Sequence, residues 1–104
     1  MNQFGEQIKL LREQKCLLQR QVANQLDMDT PMLSKIERGE RNAKREHVTI
    51  LCRIFSVPED DLLSLWLADK VYDIVKDEDV AIKAMKVAED ELKINPKRKT
   101  PKHK

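Results

Sequence analysis

"LQRQVANQLDMDTPMLSKIERGERN", residues 18–42, carries two short apolar rhythms on either side of Asp27-Met28-Asp29. Val22, Ala23 and Leu26 share one face of a helix over 18–26, and Leu33 and Ile36 share one face of a second over 30–38. Asp29 or Thr30 is placed to cap the second helix. Pro31 suits its first turn, where a missing N–H costs nothing. Gly39 reaches the left-handed conformation that ends a helix without strain. The second helix is nonetheless very polar, and the chain turns basic just after it, in "DTPMLSKIERGERNAKRE", residues 29–46.

The flanking sequence supplies partners for the two narrow stripes. Phe4, Ile8 and Leu11 give a helix over 4–14, with Leu10 beside that line. Val48, Leu51, Cys52 and Phe55 give a fourth helix over 45–55, stopped at Ser56-Val57-Pro58. Pro58 opens a fifth, running to about Lys76, with Glu59, Asp60 and Asp61 in a first turn whose dipole favours acids. Asp77 is placed to cap a sixth, carrying Ala81, Ile82, Met85, Ala88 and Leu92. The chain is therefore expected to be all-α: a five-helix domain over 1–66, a helical extension over 67–94, and a disordered basic tail over 95–104. The tail, "PKRKTPKHK", offers no apolar side chain to a core.

Composition narrows the classes. In 104 residues there are only two Gly and four Pro, and 37% are charged. The net charge of +2 conceals segregation. Residues 1–57 hold ten Lys/Arg and seven Asp/Glu, residues 58–92 four and eleven, and residues 93–104 six and none. A basic front, an acidic middle and a basic tail suggest separate roles. No 18-residue apolar run exists and the N-terminal residues lack an apolar signal core, so a cytoplasmic, non-membrane protein is expected. Two cysteines are too few for a disulfide framework, and Cys16 and Cys52 read as reduced thiols.

No catalytic constellation stands out. His47 and His103 have no nucleophile arranged with them, there is no phosphate-cradling Gly loop, and no metal-ligand spacing occurs. The run Asp77-Glu78-Asp79 is explained by a helix N-terminus. The expectation is no enzyme, no cofactor, no metal and no small-molecule ligand.

Two helices joined by three residues have the spacing of a helix-turn-helix, with Ala23 as the small residue that lets the second helix pack closely. Across about residues 4–66 the sequence resembles the lambda-repressor/Cro-like (XRE) transcriptional regulators. The likeness rests on Leu18-Gln19, Val22-Ala23, Leu26-Asp27-Met28-Asp29, Leu33-Ser34 and Ile36-Glu37-Arg38-Gly39. Leu18 stands where the family has a Thr cap, Asp27 where it has a turn Gly, and Asp29 where it has Ser. The small size is similar to that of restriction–modification controller proteins. The resemblance implies a lambda-repressor-like fold that binds double-stranded DNA, commonly as a homodimer on a palindromic operator.

By position in the family pattern, Thr30, Pro31 and Lys35 match base-reading sites, with Met32 and Ser34 flanking them. Lys35 can donate to guanine O6 or N7, and Thr30 and Pro31 can touch thymine methyls. Gln19 resembles a phosphate clamp. Arg38, Arg41, Asn42, Lys44 and Arg45 can grip phosphates and fix register. Glu37 is expected to be structural, pairing with Arg41, and Arg12 to lie on a solvated face.

Leu62, Leu63 and Trp66 can complete the core, leaving apolar side chains that a monomer would expose. Leu65, Trp66, Val71, Tyr72, Ile74, Val75 and Met85 are the candidate dimer interface, with Trp66 or Tyr72 as anchor; a sixth helix covering the patch within one chain is the alternative. The tail reads as a phosphate-contacting arm, a solubilising end or a protein-binding segment. The expected function is a dimeric repressor; the alternatives are an antitoxin that also represses its own promoter, and a purely protein-binding helical domain.

Overall fold

The computed structural model describes residues 1–96 and is built from six helices, with no strand among the described residues: α1 (Gln3–Gln14), α2 (Gln19–Gln25), α3 (Thr30–Glu37), α4 (Arg45–Phe55), α5 (Glu59–Val75) and α6 (Ala81–Ile94). The expected all-α architecture is borne out. Of the tail expected over 95–104, residues 97–104 lie outside the described residues. Two compact units are present, Met1–Tyr72 and a second beginning at Asp73.

In the first unit α3 packs against α2 and α1, and α1 also packs against α4. The core is Phe4 and Ile8 of α1, Val22, Ala23 and Leu26, Leu33 and Ile36 of α3, Val48, Leu51, Cys52 and Phe55 of α4, and Leu62 of α5. These are the residues that the helical periodicity places inward. Leu33 has no exposed surface, so truncating it to Ala would cost about 2–5 kcal/mol. Ala43, in the loop between α3 and α4, is also buried; no periodicity marks a single loop alanine.

The helix ends explain the tight path. Asp27 turns the chain after α2 in the left-handed region (φ 57°), a geometry Asp tolerates, and Gly39 does so after α3 (φ 79°). Asp29 caps α3 by accepting from the Met32 N–H at 2.8 Å. Leu18, at the N-cap of α2, has no side-chain acceptor. Gln21 compensates from the other direction, its Oε1 accepting the Leu18 N–H at 2.7 Å.

The start of α1 is held from two sides. Asn2 accepts the Gly5 N–H at 3.1 Å and donates to the Glu37 carbonyl at 2.8 Å. Asp69 of α5 accepts the N–H groups of Gln3 and Phe4, both at 3.0 Å. Gly5 lets α1 approach α3, since a Cβ there would stand 2.5 Å from the Ile36 carbonyl oxygen.

In the second unit, α6 begins at Ala81, four residues beyond the expected cap. Asp77 lies in a turn, and Val80 occupies the N-cap without a side-chain hydrogen bond. Ile82, Met85, Val87, Leu92 and Ile94 are exposed along α6. Lys86 pairs with Asp90 at 3.3 Å and Lys93 with Glu89 at 3.6 Å, on-helix pairs that support the helix by tenths of a kcal/mol each.

Candidate nucleic-acid interface

The polarity of α3 follows from how little of it is buried. Leu33, Ile36 and Glu37 face inward, Thr30, Met32 and Ser34 are half-buried, and Pro31 and Lys35 are exposed. Met32, expected off the inward line, packs in part against the core. Lys35 enters no ion pair among the described residues.

Glu37 departs from its expected pairing. Its side chain is 3% exposed and meets Arg12 of α1 rather than Arg41: Arg12 Nε donates to Oε2 at 2.7 Å and Nη2 to Oε1 at 3.1 Å. Arg12, expected on a solvated face, is itself only 11% exposed and also donates from Nη1 to the Leu17 carbonyl at 2.9 Å. The hydrogen bond to Glu37 raises the Arg12 pKa, against a smaller opposing effect of burial. Burial makes this geometry necessary, because an unpaired carboxylate in that position would be very costly. Position 37 lies four residues after Leu33, so it falls on the buried stripe of α3. That spacing was the available signal, but it does not name a partner 25 residues earlier in the chain.

Gln19 joins the same cluster, giving one amide N–H to Glu37 Oε1 at 2.9 Å and keeping a second donor. α1, α2 and α3 are thereby tied at a single carboxylate. Beside it runs an open groove of about 370 Å³ lined by Asn2, Glu6, Lys9, Gln19, Ser34, Glu37 and Arg38.

The candidate phosphate contacts divide into two sets. Arg38 is engaged: it donates to Glu40 at 2.9 and 3.1 Å and to the Ser34 hydroxyl. The hydrogen bond from Arg38 holds the Glu40 carboxyl below its usual range. Arg41, Asn42, Lys44 and Arg45 are exposed and make no side-chain hydrogen bond or ion pair within the described residues. They flank buried Ala43, whose carbonyl accepts the Trp66 indole N–H at 2.9 Å. Lys70 stands over the Trp66 ring, 4.4 Å from its centre.

Of the candidate interface residues, Leu65 and Trp66 pack in part against the core. Val71, Tyr72 and Ile74 at the end of α5, and Met85 on α6, are exposed, and Val75 is half-buried. No helix of the described residues is long and apolar enough to cross a membrane, and none of their His, Cys, Asp and Glu side chains form a group of three or more able to hold a metal.

The family model of a helix-turn-helix domain matches residues 3–65. No curated protein and no solved structure matches the chain. The match spans α1 to α4 and the first part of α5, and with it the chain belongs to the helix-turn-helix domain family, bearing out the kinship expected from residues 18–42.

Proposed function

We propose that this helix-turn-helix protein is a sequence-specific regulator of transcription that acts as a cytoplasmic, XRE-type dimeric repressor on a palindromic operator. The observation that carries the reading is the combination of α3 and the loop behind it. The helix spends its apolar side chains on one stripe and leaves Pro31 and Lys35 exposed, and four exposed polar or basic residues, Arg41, Asn42, Lys44 and Arg45, follow within eight positions of its end. A helix that enters a major groove meets bases with its N-terminal residues, while basic side chains beyond it neutralise phosphates.

In this reading Thr30, Pro31 and Lys35 face base edges, with Met32 and Ser34 beside them, and Gln19 offers its remaining amide N–H to a phosphate. Met32 and Pro31 carry no side-chain donor, so part of the specificity rests on thymine methyls and groove shape. Arg41, Asn42, Lys44 and Arg45 set register. Arg38 contributes only when its pair with Glu40 opens.

Dimerisation is assigned to the end of α5 and to α6, through Leu65, Trp66, Val71, Tyr72, Ile74, Val75 and Met85. Exposed Val71 and Tyr72 in the first unit, and exposed Ile74 and Met85 in the second, support this, because exposed large apolar side chains are what an interaction site needs. The same exposed side chains would serve an antitoxin holding a toxin. Light scattering at micromolar concentration tests the dimer that both readings can use: a dimer supports the palindromic operator, and a monomer removes the palindrome requirement. The test of the DNA reading itself is Lys35→Ala against a bound duplex. A loss of about 1–3 kcal/mol confined to one base pair of each half-site is expected. Equal loss on every sequence would turn Lys35 into a phosphate contact.

A further inference from the structure

We propose that Trp66 is a positioning residue for the phosphate grip: its indole N–H, held on the Ala43 carbonyl, fixes the loop that projects Arg41, Asn42, Lys44 and Arg45. The proposal rests on the DNA-binding reading above and adds to it an element from outside the helix-turn-helix.

Three observations converge on the loop between α3 and α4. Ala43 is buried, with 5% of its surface exposed, although its neighbours on both sides are exposed. Its carbonyl receives a hydrogen bond from a residue 23 positions away, Trp66 Nε1 at 2.9 Å. Arg41 and Arg45 lie two residues to either side, so neither backbone can stray more than about 7 Å from that anchor.

Between its ends the loop has few other restraints. Glu40 N–H reaches the Lys35 carbonyl at 2.8 Å on one side; on the other, Lys44 caps α4, its N–H on His47 Nδ1 at 3.1 Å and its carbonyl accepting from the His47 N–H at 2.9 Å, and the span between is held at Ala43. Without that point, the three long cationic side chains of Arg41, Lys44 and Arg45 and the Asn42 amide would start from many positions, and ordering them on a phosphate backbone would cost conformational entropy.

The anchor is itself held. Trp66 packs against the core, and Lys70 lies over its ring. Three residues further along α5, Asp69 caps the first N–H groups of α1. One face of α5 therefore pins both the start of α1 and the loop before α4. The helix-turn-helix reads the groove, and α5 sets where the backbone is gripped.

The experiment is Trp66→Phe, which keeps an aromatic ring on the core and removes the N–H. Limited trypsin digestion followed by mass spectrometry reads the loop without DNA. Cleavage after Arg41 and Lys44 is expected to speed up several-fold relative to cleavage after Arg20, an exposed residue of α2. Unchanged relative rates overturn the proposal. Titration of a bound duplex across salt concentrations reads the grip: affinity falls about tenfold, and the salt slope falls by roughly one to two units, each worth about one phosphate contact.

An affinity loss with an unaltered salt slope and unaltered cleavage would make Trp66 a stabilising residue only, and would also overturn the proposal. If the wild-type chain binds no duplex, the functional reading fails, and the digestion still decides the role of Trp66 in the loop. Should the Phe variant not fold, the wild type supplies the reading, because Trp66 is the sole tryptophan. Duplex lying on the loop is expected to lower acrylamide quenching of its fluorescence, and unchanged quenching in the bound state contradicts the proposal.

Discussion

Arg12 Nε and Glu37 Oε2 stand 2.7 Å apart at the junction of α1 and α3, with both side chains largely removed from water. The pair fixes the angle of the helix that we assign to the major groove. Replacing Arg12 alone with Leu leaves a buried carboxylate with Gln19 as its one remaining side-chain partner, and is expected to cost about 3–5 kcal/mol. Replacing Arg12 and Glu37 together with Leu should recover most of that loss. Chemical denaturation of the two variants checks this, and a double variant no more stable than Arg12→Leu would contradict it.

Gly5→Ala tests the approach of α1 to α3. The added Cβ would meet the Ile36 carbonyl at 2.5 Å, a backbone atom that cannot swing away, and would also crowd the Asn2 side chain. A loss of about 1–3 kcal/mol is expected, despite the higher helix propensity of Ala. A variant as stable as the wild type in thermal melts would show that the two helices can separate at little cost.

The two cysteines should differ sharply in reactivity. Cys16 is exposed and Cys52 is buried. Burial raises the Cys52 pKa, so less of it is the reactive thiolate at neutral pH. A disulfide reagent added to the native protein is expected to titrate one thiol rapidly and the second only after denaturant is added. Rapid reaction of both would mean that α4 opens readily.

Glu40 restrains Arg38, so Glu40→Gln should free a cation beside α3. Duplex affinity is expected to rise a few-fold and the salt slope to steepen by up to about one unit. The pH dependence has a definite sign. The carboxyl is held below its usual range, so the pair is fully present above the ordinary carboxylate pKa and is lost only as pH falls through the lowered value. Lowering the pH from 8 to 5.5 should therefore not mimic the substitution. Affinity measured at both values checks it.

Much of the first unit could be read from residues 18–42 outward. Val22, Ala23, Leu26, Leu33 and Ile36 obey the helical period, and Asp29 and Gly39 mark the ends of α3, because these signals are local. The misread features depend on distant pairs. Arg12 looks solvated until Glu37 is brought to it, and the capping of α1 by Asp69 joins residues about 65 apart in sequence. Ala43 gives no sign of burial, and the partner of the Trp66 indole N–H gives none either, because it is a backbone carbonyl, which every residue possesses. Asp77 was expected to cap α6 from composition alone, whereas the turn after α5 uses backbone hydrogen bonds, Glu78 N–H to Val75 O and Ala81 N–H to Glu78 O. Within the site, the exposed Lys35 and Arg41 were foreseeable, and the mutual engagement of Ser34, Arg38 and Glu40 was not.

Selection of bound sequences from a random duplex library at physiological salt tests the central claim most directly. A palindrome whose half-sites lie about 10–10.5 base pairs apart, one helical turn, is expected to be enriched, with the Lys35→Ala protein losing its preference at one position of each half. Recovery of sequences with no common half-site, across salt concentrations that still permit binding, would contradict the assignment of α3 as a reader of DNA sequence.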